Sequence, residues 1–184
     1  APEGYTEHSL GDIAGIIAGV RVDTTERRSE RREGDIPYVQ VRHMQSDAIA
    51  ENDPFWISEA TVGPHGPKLA RPGDILVSTG GTIGKVVLIG VDHANGVLFD
   101  TSVRRVRLTD TAMTPAAVAA FLRSELGQLQ LRRFTTGTVI PHLTSDDLEQ
   151  VRIFIPCVVT ARPGPTTDVE TPPPPELSPE QIAA

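Results

Sequence analysis

The run Thr79-Gly80-Gly81-Thr82-Ile83-Gly84-Lys85 gathers glycines, hydroxyls and an ammonium, the composition with which a nucleotide-binding loop cradles phosphate. Its spacing is wrong for that chemistry. A phosphate loop needs glycine separated by four residues from the Gly-Lys pair, and Ser or Thr directly after it. Those positions hold Thr79 and Val86, and Lys85 leads into Val86-Val87-Leu88-Ile89, a strand-like run rather than a helix whose N-terminus could hold an anion. Nucleotide hydrolysis is therefore not what this loop is for. Gly80, Gly81 and Gly84 read as the tight turn between two buried strands, where positive φ angles are needed. They also let backbone approach a phosphate closely, with Thr79, Thr82 and Lys85 as donors, and the two readings are compatible.

Other candidate contacts lie elsewhere in the chain. Arg42-His43 follows a strand, where a side chain is held firmly enough to meet a base edge. Arg132-Arg133 ends a helix, a place that suits DNA contact or simple compensation of the helix dipole. Thr135, Thr136, Thr138 and His142 serve either as turn formers or as contacts. The loop from Arg27 to Arg32 is basic but interleaved with Glu26, Glu30 and Glu33, as a solvated face would be.

Catalytic chemistry finds no footing. The five histidines show no HExxH-like pairing, and the single cysteine, Cys157, rules out both a disulfide framework and a cysteine-rich zinc site, so no metal site is expected. No Asn/Asp-Pro-Pro-Tyr methyltransferase motif and no glycine-rich S-adenosylmethionine loop is present, and neither Lys68 nor Lys85 has the acidic neighbour of a common nuclease motif. Ser78 and Ser102 lack the strand-to-helix elbow that exposes a serine nucleophile.

The elements that must position these residues are short. Ser9 and Asp12 form a capping box for a helix with Ile13, Ile16 and Ile17 on one face, ending at Gly19. Residues 21–35 read as a solvated loop, Ile36 to Val41 as a strand, and Pro54 to Arg71 as a long irregular connection around Phe55 and Trp56. Two strands flank the glycine turn. From Ser102 the chain alternates, with Val103, Arg105 and Arg107 on one face and Arg104, Val106 and Leu108 on the other. Thr114-Pro115 starts the longest helix, with Val118, Phe121, Leu122, Leu126 and Leu129 at helical spacing up to Arg133. Thr144 and Asp147 form a second capping box, and Arg152 to Ile155 closes with a strand. The expected class is α+β, a small mixed or antiparallel sheet with a few helices.

At 184 residues and 39% hydrophobic content, one domain over residues 1–158 is expected, followed by a proline-rich linker over 159–177 and the possible first turn of a helix over 178–184. No segment approaches the ~20 apolar residues of a membrane span, and no signal-peptide pattern opens the sequence, so a cytoplasmic location is expected. The net charge of −7 argues against nonspecific attraction to nucleic acid. Residues 160–184 carry Asp168, Glu170, Glu176 and Glu180 against Arg162, a net of −3, which leaves −4 on the rest. The arginines nonetheless cluster, at 21–32, at 104–107 and at 132–133.

Four segments, in order, resemble the target-recognition domain of the DNA specificity subunits of type I restriction-modification systems. They are Leu10-Gly11-Asp12-Ile13-Ala14 with Gly19; Gly34-Asp35-Ile36-Pro37-Tyr38-Val39; Gly73-Asp74-Ile75-Leu76-Val77-Ser78 through Gly81-Thr82-Ile83-Gly84-Lys85; and Thr136-Gly137-Thr138 with Pro141-His142-Leu143, then Asp147-Leu148 and Ile153-Phe154-Ile155-Pro156. Each is weak alone, but the ordered set is specific. The resemblance implies a module that puts loops and a strand edge into the major groove of double-stranded DNA. It would read one half of a split target while methyltransferase and restriction subunits hold the S-adenosylmethionine, ATP and magnesium, none of which this chain would bind. Two alternatives remain open: the C-terminal recognition part of an N6-adenine DNA methyltransferase, and a noncatalytic protein-interaction module whose Pro172 to Pro175 run docks a groove.

Overall fold

The computed structural model describes residues 5–50, 54–110, 113–135 and 142–156; the tail from residue 157 lies outside them. In chain order the elements are β1 (Tyr5–Ser9), α1 (Leu10–Ile13), β2 (Ala14–Ala18), β3 (Ile36–Val39), β4 (Phe55–Ile57), α2 (Glu59–Val62), β5 (Ile75–Ser78) and β6 (Val86–Leu88). There follow β7 (Leu98–Phe99), β8 (Val103–Leu108), α3 (Pro115–Arg123), α4 (Glu125–Arg133), α5 (Ser145–Glu149) and β9 (Arg152–Pro156).

The class is α+β as expected, but the strands divide among three sheets. A central antiparallel sheet has the order β2-β8-β5-β6, a mixed sheet the order β4-β3-β7, and β1 pairs with β9. The central sheet is buried on both faces, which is why Ile75-Leu76-Val77 is continuously apolar instead of alternating. Ile75, Val77, Val86 and Val106 pack under α1, α3, α4 and α5 against Leu10, Val118, Leu122, Leu131 and Leu148. On the opposite face Leu76, Val87 and Val103 meet Val39, Met44 and Phe99 of the mixed-sheet side. Each fully buried side chain of this kind stabilises the fold by roughly 1.5–3 kcal/mol.

Both capping boxes form: Ser9 N–H donates to Asp12 at 2.9 Å, and Thr144 N–H donates to Asp147 at 2.8 Å. The first helix is nevertheless only Leu10–Ile13 and does not run on to Gly19. The Ile16-Ile17 pair suits a strand as well as a helix face, and pairing with β8, Ile16 opposite Val106, decides for the strand. Phe55 and Trp56, expected in an irregular connection, form β4, because the mixed sheet offers Tyr38 and Pro37 opposite them.

The expected long helix is two helices. Ser124, at φ −63° and ψ 161°, ends α3 and caps α4 by accepting a hydrogen bond from Gly127 N–H at 3.3 Å. The reversal lays Gly127 on the end of α3, where a Cβ would sit 2.2 Å from Phe121 O. It also turns Leu126 and Leu129, expected on the apolar face, outward to 47% and 64% exposure. Alanine is the better helix former by about 1 kcal/mol, yet a clash with a backbone oxygen cannot be relieved by a rotamer change. Gly127→Ala is therefore expected to destabilise the protein by about 1–3 kcal/mol in denaturant unfolding, whereas a stabilised variant would show that the two helices are not packed in this way.

Candidate nucleic-acid interface

The turn between β5 and β6 is built by its own hydroxyl. Ser78 Oγ donates to Thr82 O at 2.6 Å and accepts from Lys85 N–H at 2.8 Å, so one side chain sets both ends of the loop. Gly81 and Gly84 take the expected positive φ, 67° and 88°. Gly84 has a second reason to lack a side chain. A Cβ there would meet Gln128 Oε1 at 2.5 Å, and Gln128 Nε2 donates to Gly84 O at 2.8 Å, which moors the turn to α4. Gly80 instead forms an isolated bridge with His142, placing that exposed histidine beside the turn. Thr82 is exposed, but Thr79 is fully buried with its backbone bonded to Ser102 and Leu143, which removes its hydroxyl from the surface where contact was expected.

Lys85 joins this turn to the other candidate loop. Its ammonium donates to Met44 O at 2.6 Å and to Val41 O at 3.2 Å, the carbonyls on either side of Arg42 and His43. Two of its three N–H groups are thus engaged in holding a loop, and a role as phosphate donor rests on the third. Arg42 and His43, expected as a pair, stay in contact, Arg42 Nε lying 2.8 Å from His43 Nε2, but differ in exposure. His43 is fully buried, its Nδ1 accepting from Gln40 N–H at 3.1 Å, whereas Arg42 is exposed and lies 4.6 Å over the Phe55 ring. Nothing in the sequence pattern singled out Phe55.

The basic loop that the sequence presents as a solvated face is docked. Arg27 donates to Val22 O and lies 5.1 Å over Tyr38, Arg31 lies 4.9 Å over Trp56, and the backbone of Arg28 pairs with that of Trp56 along the outer edge of β4. Arg28 also meets the buried Asp35 at 2.7 Å. Tyr38, beneath Arg27, donates to Asp100 at 2.8 Å. Burial and that carboxylate push the phenol above its ordinary range. Burial also pushes the Asp100 carboxyl up, but hydrogen bonds from Tyr38 and Ser102 N–H outweigh it and leave the acid below its usual value. The pair therefore remains a neutral hydroxyl on a carboxylate.

On the α4 side, a cavity of about 540 Å³ lies between the two loops, walled by Asp47, Gly84, Lys85, Arg123 and Gln128. Arg123 spans it from Val86 O at 3.0 Å to Asp47 O at 3.4 Å. Arg132 and Arg133 face differently: Arg132 Nε donates to Gln128 O, while Arg133 lines a separate cleft with Asp12, Asp146 and Glu149. Thr135 closes α4 through its hydroxyl on Arg132 O at 2.8 Å. Thr136 and Thr138 lie outside the described residues. The structure thus brings together Arg42, Thr82, Lys85, the glycine turn and His142, and adds Phe55, Arg123 and Gln128. Among the described residues no three His, Cys, Asp or Glu side chains gather as a metal site, and no helix is long and apolar enough to cross a membrane.

Residues 2–158 match the family model described as type I restriction modification DNA specificity domain. Among solved structures, a chain from a type I R-M system solved for complex assembly and conformational transition is similar at 19% identity and a TM-score of 0.63, covering 85% of this chain and 35% of that one. The HsdS subunit from Thermoanaerobacter tengcongensis is similar at 19% identity and 0.61, over 85% and 34%. The type I restriction-modification S subunit from M. genitalium follows at 15% and 0.57, over 84% and 35%. This chain therefore spans about a third of the length of the structures it resembles. No curated protein matches it.

Because Lys85 holds two carbonyls of the Arg42 loop, its loss is expected to show in stability as well as in binding. Lys85→Ala should lower the unfolding free energy by about 1–3 kcal/mol, the range for a charge-assisted bond whose partner is left unsatisfied, and should increase amide exchange over residues 41–45. Unchanged stability and exchange, with only DNA binding reduced, would mean the ammonium does not anchor the loop.

Proposed function

The chain belongs to the type I restriction modification DNA specificity domain family, and from that membership we propose that it is a single DNA target-recognition domain, reading one half of a bipartite duplex target for a methyltransferase partner and a restriction partner. The observation that carries this reading is the exposed Arg42, seated on Phe55 in a loop that Lys85 ties to the glycine turn. Arginine's planar fork can meet the O6 and N7 of guanine together, so its placement beside phosphate-compatible turn backbone supplies both halves of recognition. In this reading Arg42 discriminates between bases, while Thr82, Lys85 and His142 hold the backbone. The chain performs no reaction itself: methylation and cleavage, with S-adenosylmethionine, ATP and magnesium, belong to the partners.

A single such domain on a net acidic chain gains little from long-range attraction and covers half a site, so binding by the chain alone should be weak. Titration of a randomised duplex library at matched salt, by the chain and by its complex with a methyltransferase subunit, is expected to return one half-motif weakly for the chain. The complex should select a split motif with affinity higher by a factor on the order of 10². Arg42→Ala should cost about 1–3 kcal/mol on the selected half-site and little on random duplex. Tight, fully specific binding by the isolated chain, or methyl transfer or cleavage that copurifies with it, would overturn the proposal.

A further inference from the structure

Phe55 is the point at which the two arginine-bearing loops meet. The Arg42 guanidinium lies 4.6 Å from its ring centroid, the Arg27 guanidinium 5.7 Å from it, and the ring of His43 stands edge-on at 5.4 Å. Phe55 is itself fixed, half-buried in β4 opposite Tyr38. The two arginines are not equivalent. Arg27 is committed to Val22 O through its Nε at 3.0 Å. Arg42 is exposed, its Nε turned to His43 Nε2 at 2.8 Å, and among the described residues no hydrogen bond from its terminal nitrogens is seen.

We propose that Phe55 is a positioning residue for base reading, holding the Arg42 guanidinium over its ring so that the terminal nitrogens present a ready-made pair of donors to the groove. The inference rests on Arg42 reading a base edge. A bidentate contact needs the guanidinium plane aligned with the base, and an unsupported arginine must lose its rotamer freedom at each encounter. Contact with the ring restricts that freedom before DNA arrives. The attraction is that of a cation to an aromatic face, so an aliphatic side chain of similar bulk cannot replace it. Phe55 adds no charge, and its effect belongs to discrimination between sequences rather than to general attraction for DNA.

The test uses the whole chain and duplexes carrying either its selected half-site or a scrambled sequence, measuring the ratio of the two affinities and the slope of log K against log salt. Phe55→Leu is expected to lower the ratio about fivefold with the slope unchanged, Phe55→Tyr to restore the ratio, and Phe55→Leu to have no further effect once Arg42→Ala is present. Thermal unfolding checks that each variant is folded, and Phe55→Met replaces the leucine variant if that one is not. The proposal fails if the aliphatic variants keep the wild-type ratio, if tyrosine does not rescue it, or if the losses from Phe55 and Arg42 simply add. A ratio that drops on Arg42→Ala but not on Phe55→Leu overturns this inference and leaves the recognition function standing. A wild-type chain that prefers no sequence overturns both.

Discussion

Backbone carbonyls in irregular segments need donors, and the fold is organised around supplying them. Its strands are short, so much of the main chain runs through connections that no sheet ladder satisfies, and a buried carbonyl without a partner is costly. Cationic side chains answer much of that demand. Arg105 donates to Pro67 O and Leu69 O from the middle of β8, and Arg107 donates to Leu69 O as well. Arg107 also makes a two-point contact with Asp74, at 2.7 and 2.6 Å, and Asp74 accepts from Arg71 N–H at the entrance to β5. Lys85 and Arg123 do the same for the Arg42 loop.

This constraint decides which charges are left for a ligand. The arginine cluster at 104–107, which looks on paper like a nucleic-acid contact, is a set of internal braces. Arg104 and Arg105 are so deeply placed that burial pulls their pKa values down, while the Asp74 hydrogen bonds push that of Arg107 up. Arg42 and Arg31 differ in kind. They rest on aromatic faces rather than on carbonyls, an arrangement that orders a guanidinium while leaving its hydrogen-bonding edge available. For a chain of net charge −7, affinity for DNA has to come from a few well-seated cations, because the overall field opposes approach.

What the sequence made legible was local chemistry. The β5–turn–β6 unit, both capping boxes and α5 each depend on residues within a few positions of one another, and their signals survive without knowledge of the rest. The failures are where a distant partner decides. Ile16-Ile17 became a strand because β8 was there to pair, β4 formed because β3 presented Tyr38 and Pro37, and the long helix broke where Gly127 could lie against Phe121. At the interface the same division holds. The exposure of Arg42 was readable from type and position, whereas the anchoring of Lys85 on Val41 O and Met44 O was not. The burial of Thr79 and His43, and the parts played by Phe55 and Gln128, arise from contacts across the chain, such as the bond from Gln128 to a glycine carbonyl 44 residues away.

Anchoring through main-chain carbonyls has a consequence for recognition. A bond from Lys85 to Val41 O and Met44 O fixes the path of that loop and is indifferent to the side chains it carries, since every residue offers the same acceptor. The braces from Arg105 and Arg107 treat the connection before β5 in the same way. Had the loops been held by their own side chains, any change at their surface would have risked their shape. Here the acceptors that fix the loop are main-chain oxygens, so the side chains on its surface can vary without disturbing its path. Arg42 differs, since its guanidinium lies over the Phe55 ring and against His43 and not on a carbonyl. It is also the point where a change of preference would require a matching change in the residue beneath it.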